Sequence, residues 1–324
     1  MQNVQDILEE ALKKGQEYVE RGECASYIPE LARADKKKLG VCLYTKSTDK
    51  YTAGDTKDRF TIQSISKVIS LAAALELCGF EKVFEKMNME PSGDAFNSLV
   101  KLDLTSDKPF NPMINAGAIT TAGYLQPLVS FEDMLKYARK LCMDDGIVMD
   151  EKVYQSEMSH CSRNRAMQNL SRNRAIAYLL QSKGILEADV EKSLDLYIRM
   201  CSLSVTAESL AGLGLVLANG GLHPETGTRM IDADAVRVAK TIMMTCGMYD
   251  GSGEFAVRVG IPSKSGVGGG ILSVVEKQMG IGIYGPSLDS KGNSIGGQRM
   301  LEYLSKELKL HLFESGDPYG LEQI

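Results

Sequence analysis

Strand-forming segments sit at the two ends of this chain and helical ones fill the middle, which limits the fold more than any other feature. Near the start, LGVCLYT (Leu39–Thr45) and Tyr51–Ala53 read as strands joined by the polar turn STDK. The final eighty or so residues return to strand patterns in EFAVRVG, ILSVVEK and GIGIYGP, followed by a last helix over about Ser294–Glu307. An amphipathic helix is expected from about Val4 to Arg21. From Ser64 the pattern turns helical in SISKVISLAAALELCG, with Gly79 as a stop. Helical patterns continue in FEDMLKYARKLC, RNRAIAYLLQSKG, EKSLDLYIRMC and ESLAGLGLVLANGG, interrupted by the loops EPSGDAFNS and KPFNPMINAGA. Strands so far apart must share a sheet, with helices covering it. The expected class is therefore α+β: an antiparallel sheet of N- and C-terminal strands flanked by helices, with an inserted helical subdomain. Residues 1–63 and 250–324 would form the sheet subdomain and 64–249 the mainly helical one, as a single domain overall.

Composition excludes several function classes. The chain has 324 residues, of which 44% are hydrophobic and 24% charged, so it can bury a large core beneath an ordinary charged surface. Its formal net charge is −5 and it carries no basic block, so there is no electrostatic footprint for nucleic acid. Lys36, Lys37 and Lys38 form too short a run and read as a solvated loop. No stretch approaches the ~20 apolar residues that span a bilayer, and the start lacks the pattern of a secretory signal. Cys24, Cys42, Cys78, Cys142, Cys161, Cys201 and Cys246 are odd in number, scattered and free of CxxC pairs. That argues against a disulfide framework and fits a reducing cytoplasm. His160, His223 and His311 show no ligand spacing, so no metal is expected.

The chemistry is concentrated in two short motifs. Ser64-Ile65-Ser66-Lys67 opens an apolar helix. Residues three apart share a helix face, so Lys67 can reach Ser64, whereas Ser66 lies on another face and reads as structural. A serine hydroxyl needs a base to become a nucleophile. A lysine whose proton is pushed off by burial and by the positive helix terminus can be that base. The same terminus offers a free backbone N–H to an oxyanion. The second motif is Lys264-Ser265-Gly266, followed by Val267-Gly268-Gly269-Gly270 and a strand. Such a triplet on a strand accompanies SxxK in penicillin-recognising enzymes. Its glycines let backbone approach a ligand and leave the Val267 N–H as a second oxyanion donor.

The blocks TIQSISKVISL, EPSGDAFNS, PFNPMINAGA, SRNRAIAYLL, LANGG, CGMYDGSGEFAVRVGIPSKSGVGGGI and KGNSIGGQ resemble the serine-dependent glutaminases, over about Tyr27 to Gln298. The resemblance implies a serine β-lactamase-like fold and hydrolysis of L-glutamine to L-glutamate and ammonia, with neither metal nor cofactor. It implies Ser64 as nucleophile, Lys67 as proton acceptor and Tyr249 as proton relay to the leaving ammonia. Tyr27 and Gln63 would line the pocket, and Val267 would complete the oxyanion hole. Asn115, Glu157, Tyr197 and an asparagine of the SRNRA block would hold the amino-acid end. A carboxylate such as Glu157 suits an α-ammonium; Asn and Tyr donors suit an α-carboxylate. A homodimer or homotetramer is implied, but no partner protein.

One departure from the family pattern leaves that asparagine open. SRNRAMQNL (162–170) is followed at once by SRNRAIAYL (171–179), so Asn164 and Asn173 compete for one role. On a continuous helix nine residues turn the chain about 900°, half a turn out of phase, so the two would face opposite sides. Asn164 follows Glu157 by seven residues and could share its face. Asn173 precedes the better apolar run, which favours it, with the extra residues taken up upstream. Two other readings stay open. A penicillin-binding or β-lactamase-like hydrolase would share SxxK and KSG but would normally carry Ser-Asp-Asn, which is absent. A non-catalytic binding protein on the same fold would be expected to lack Ser64, Lys67 or Tyr249.

Overall fold

The computed structural model describes residues 3–92, 108–158 and 165–314; the side chains of 165–170 lie outside that description. The chain begins with α1 (Val4–Gln16), capped by Asn3, and a short helix α2 (Pro29–Ala32). Strands β1 (Gly40–Thr45), β2 (Lys50–Gly54) and the two-residue β3 (Phe60–Thr61) follow. Next come α3 (Ser66–Cys78), α4 (Phe80–Glu85), α5 (Asn115–Leu125) and α6 (Phe131–Cys142). The short strand β4 (Val148–Met149) leads to α7 (Glu151–Met158), α8 (Arg165–Ser182) and α9 (Val190–Cys201). Strand β5 (Leu203–Val205) precedes α10 (Ala207–Ala218), α11 (Ala233–Cys246) and α12 (Ser252–Arg258). The chain closes with β6 (Ser263–Ser265), β7 (Gly270–Val275), β8 (Met279–Tyr284) and α13 (Ile295–Glu307).

The main sheet is antiparallel with the order β2-β1-β8-β7-β6, so the strands of the two chain ends meet at β1 and β8. Their register runs from Gly40 opposite Tyr284 to Thr45 opposite Met279. Alternation decides what each face meets. Val41, Leu43, Ile281 and Ile283 point to one side, where they pack with Ile7 and Leu8 of α1 and Leu301 and Leu304 of α13. On the other side Cys42 and Tyr44 pack with Ala211 and Leu215 of α10. That helix lies close because β8 presents Gly280 and Gly282 to it: a Cβ at Gly282 would stand 1.9 Å from the Ala207 carbonyl oxygen. This is the α+β arrangement expected, a sheet flanked by helices.

A second, three-stranded sheet in the order β3-β5-β4 was not foreseen. It ties β3, just ahead of Ser64, to the strand between α9 and α10, and the Ile62 N–H extends the link to the Leu203 carbonyl at 2.7 Å. One expected strand is instead a helix. EFAVRVG falls in α12 and its exit, where Phe255 (6% exposed) and Val259 (2%) are buried while Val257 is 80% exposed. Burial at a spacing of four is a helix signature; a strand would have buried 257 with its neighbours. Glu254 and Arg258 pair across the same spacing. The end of KPFNPMINAGA also becomes helix, since α5 starts at Asn115. EPSGDAFNS lies mostly outside the described residues. Among the described residues no helix is long and apolar enough to cross a membrane.

Candidate active site

Ser64 sits in a single 3-10 turn (Gln63–Ile65) that joins β3 to α3 and is buried. Gln63 adopts φ 49°, a left-handed conformation that a branched or bulky side chain takes only under constraint. The constraint comes from both sides. β5 holds the Ile62 peptide, and the β6–β7 loop lies on the Thr61 and Ile62 carbonyls. A Cβ at Gly268 would stand 2.3 Å from the Thr61 oxygen, so glycine there lets two backbones touch. That contact brings Val267 alongside the Ser64 turn.

Lys67, one helical turn on, is 2% exposed. Its Nζ donates to Asn115 Oδ1 at 2.8 Å and to the Met113 carbonyl at 3.1 Å. Neither bond goes to Ser64, although three-residue spacing had suggested that contact. Burial lowers the Lys67 pKa to about 8. Asn111 shapes the acceptor loop: its Oδ1 takes the Met113 and Ile114 N–H groups. Asn115 Nδ2 in turn donates to Asn173 Oδ1 at 3.1 Å, so α3, α5 and α8 are joined by one polar chain.

The group that meets Ser64 is Tyr249. Its buried ring lies beside Ser64 and the Val267 backbone: burial raises the phenol pKa, and the nearness of Ser64 and of the Val267 peptide opposes that rise. Tyr249 is also left-handed, at φ 56°, in a 3-10 turn closed by Ser252 Oγ, which donates to the Tyr249 carbonyl at 2.8 Å. A cavity of about 260 Å³ opens beside the ring, lined in part by Met113, Ile114, Cys246 and Asp250.

A second polar group lies on the other side of Ser64. Gln63 Nε2 donates to Glu157 Oε1 at 3.4 Å and to Thr61 Oγ1 at 3.2 Å. The residue keeps part of its surface open, but burial of the carboxyl end raises the Glu157 pKa to about 7. Tyr27 and Tyr197 face this carboxylate. Burial, then the Glu157 charge, holds Tyr27 well above the usual phenol range. Tyr197 is raised by burial, then by Cys201 and Glu157. The structure thus brings together Ser64, Lys67, Tyr249, Tyr27, Gln63, Asn115, Glu157, Asn173, Tyr197 and Val267. Asn164 lies outside the described residues.

Three neighbours were not foreseen as part of the site. Cys201 is buried against Ser66 (3.6 Å) and Tyr197, and burial pushes its thiol up to about 12. A scattered cysteine carries no sequence signal of such a place. Asn111 was legible only as part of a Pro-Asn loop. Lys264 was noted in its motif without a role. It is fully buried, donates to the Gly247 and Ser265 carbonyls, and lies 4.5 Å from the Tyr249 ring centre. Burial, then the Lys67 charge, depresses its pKa strongly. Among the described residues no three His, Cys, Asp or Glu side chains are grouped to hold a metal ion.

Comparison with known proteins places this geometry. The family model described as Glutaminase matches residues 22–313. Glutaminase 2 of Clostridium perfringens is 47% identical over 96% of this chain and all of its own length. The glutaminase of Clostridioides difficile is 48% identical over 95% of this chain and 98% of its own. Among solved structures, the covalent complex of a Bacillus subtilis glutaminase with 5-oxo-L-norleucine, formed by reaction with 6-diazo-5-oxo-L-norleucine, superposes with a TM-score of 0.83 at 36% identity. It covers 94% of this chain and 98% of its own. The fold is the serine β-lactamase-like one, and the chain belongs to the glutaminase family of amidohydrolases.

Proposed function

We propose that this glutaminase cleaves the side-chain amide of L-glutamine through an acyl-enzyme formed on Ser64. The observation that carries the reading is buried Ser64 one helical turn from the buried Lys67, whose pKa burial lowers to about 8, with the Tyr249 side chain beside Ser64. The Ser64 hydroxyl gives its proton to neutral Lys67 as Oγ adds to the amide carbon. The oxyanion is received by the backbone N–H groups of Ser64 and Val267, two donors fixed before reaction. Collapse breaks the C–N bond, and Tyr249 relays the proton that Lys67 took from Ser64 to the departing nitrogen, which leaves as ammonia and restores neutral Lys67. Water then attacks the ester, giving its proton to Lys67, which returns it to Ser64 Oγ as glutamate is freed. Lys67 suits the base role because its buried ammonium has no carboxylate among its described partners.

The amino-acid end is assigned to the other polar group. Glu157 would take the α-ammonium, with Tyr27 and Gln63 along the wall; Asn115, Asn173 and Tyr197 would take the α-carboxylate. The covalent 5-oxo-L-norleucine complex of the B. subtilis protein supports both halves, since that adduct joins an amino acid to its enzyme. The test is Ser64→Ala, assayed for ammonia release, with circular dichroism as the folding control. We expect turnover to be abolished with the spectrum unchanged. A folded alanine variant with near wild-type turnover would remove the covalent mechanism.

A further inference from the structure

The block Lys291–Gln298 takes no part in the chemistry above, yet it packs behind Tyr249. It opens from a loop knotted on Asp289. Asp289 Oδ1 accepts the N–H groups of Lys291 (2.9 Å) and Asn293 (3.0 Å), and Oδ2 accepts Gln298 Nε2 at 2.8 Å. The Asp289 N–H donates to the Asn293 carbonyl at 2.8 Å, and the Gly292 N–H returns to the Asp289 carbonyl at 3.1 Å. The loop is therefore knitted together on Asp289 while Lys291 also reaches Glu254 at 3.7 Å.

What it presents is directed at the site. Gly292, at φ 89°, is its contact point: a Cβ there would stand 3.4 Å from Val267 Cγ1 and 3.7 Å from Tyr249 Cε2. Asn293 is 1% exposed; its Nδ2 donates to the Met248 carbonyl at 3.4 Å, and its Oδ1 has no partner among the described residues. The Met248 N–H is taken by Ser252 Oγ at 3.0 Å. The Met248 carbonyl, on the peptide that enters Tyr249, thus takes the Gly251 N–H of the turn itself at 3.1 Å and, from outside the turn, Asn293 Nδ2. A tyrosine in the left-handed region needs such support, because that conformation is strained and persists only where the surroundings impose it.

We propose that Asn293 is a positioning residue for Tyr249: it holds the Met248 carbonyl so that the strained tyrosine keeps its phenol on Ser64. The proposal rests on Tyr249 acting as the proton relay. Asn293→Asp keeps the side-chain shape and removes the donor, and the test compares it in two backgrounds. kcat and KM for glutamine are measured for wild type, Asn293→Asp, Tyr249→Phe and the double variant, with thermal midpoints for all four. We expect Asn293→Asp to lower kcat about 10-fold or more with KM within about 3-fold, because proton transfer depends on geometry. In the Tyr249→Phe background the same change should alter kcat by less than about 2-fold, since coupled residues are not additive. A merely structural role would give the same loss in both backgrounds, and that result, or an unchanged kcat for Asn293→Asp, overturns the proposal. If the buried aspartate prevents folding, Asn293→Leu, similar in size and uncharged, carries the comparison. Failure of both to fold would assign Asn293 to global structure and also overturn it. Undiminished kcat in Tyr249→Phe alone would instead remove the relay reading itself.

Discussion

At the scale of single residues the proposed site makes opposite demands on two buried ionisable groups. Lys67, lowered to about 8 by burial, must be neutral to accept the Ser64 proton. Glu157, raised to about 7 by burial, must be ionised to hold an ammonium. The two effects separate in kinetics. Below pH 8 the neutral fraction of Lys67 falls, so kcat should drop, approaching about 10-fold per unit well below that value. Below pH 7 Glu157 takes up a proton, so KM should rise as pH falls. Glu157→Gln should raise KM at neutral pH about 10-fold or more, the cost of a lost charge-assisted bond, and remove the acid rise in KM. Profiles of kcat and KM over pH 5.5 to 9.5 check this; a KM that keeps its acid rise in the Gln variant would point to another acid. Ser64 and Lys67 stood out in the sequence as an SxxK pair at a helix start whose roles came from the block resemblance, while the partners Lys67 bonds, Asn115 and the Met113 carbonyl, lie almost fifty residues away and beyond local spacing. Cys201 and Asn293 did not stand out, because nothing within a few residues of them says what folds against them.

At the scale of elements the informative case is α8. The repeat puts two identical SRNRA copies in a row, and a helix cannot present both asparagines to one face. Asn173 lies in α8 with its Oδ1 on Asn115, which itself holds Lys67. That agrees with the apolar run after the second copy: Ile176, Ala177 and Leu180 are all buried. We therefore expect Asn173→Ala to raise KM for glutamine about 10-fold or more, the scale of an unpaired buried polar group. Asn164→Ala should leave KM within about 2-fold, because one asparagine suffices for the role and Asn173 fills it. The reverse outcome would assign the ligand to the first copy. The misread element, EFAVRVG, shows the limit of pattern reading. Its apolar residues at 255, 257 and 259 fit a strand as well as a helix, and only the bond from Met248 N–H to Ser252 Oγ, invisible to periodicity, starts the chain into a helical turn.

At the scale of the whole molecule, pairing of the chain ends was legible because β1, β7 and β8 are long apolar runs with few ways to be buried. The β3-β5-β4 sheet was not, since strands of two or three residues leave no periodicity to read. That small sheet links the main sheet to the turn that carries Ser64, the proposed nucleophile. α10 rests on β8, Thr206 and Ser209 cap α10 directly after β5, β5 pairs with β3, and Gln63-Ser64 follow β3. A push at the sheet should therefore be felt at the nucleophile. Gly282→Ala supplies it, because the new methyl would stand 1.9 Å from the Ala207 carbonyl oxygen and 2.5 Å from Ala211 N, both backbone atoms that cannot rotate away. Overpacking of this kind costs about 1–3 kcal/mol, and more against backbone. The helix can relieve it only by lifting off the sheet and carrying β5 and β3 with it. Gly282→Ala should lower the urea midpoint and also lower kcat in the fraction that remains folded, although residue 282 touches none of the site residues. Lost stability with kcat unchanged would show that the nucleophile turn holds its geometry independently of the sheet.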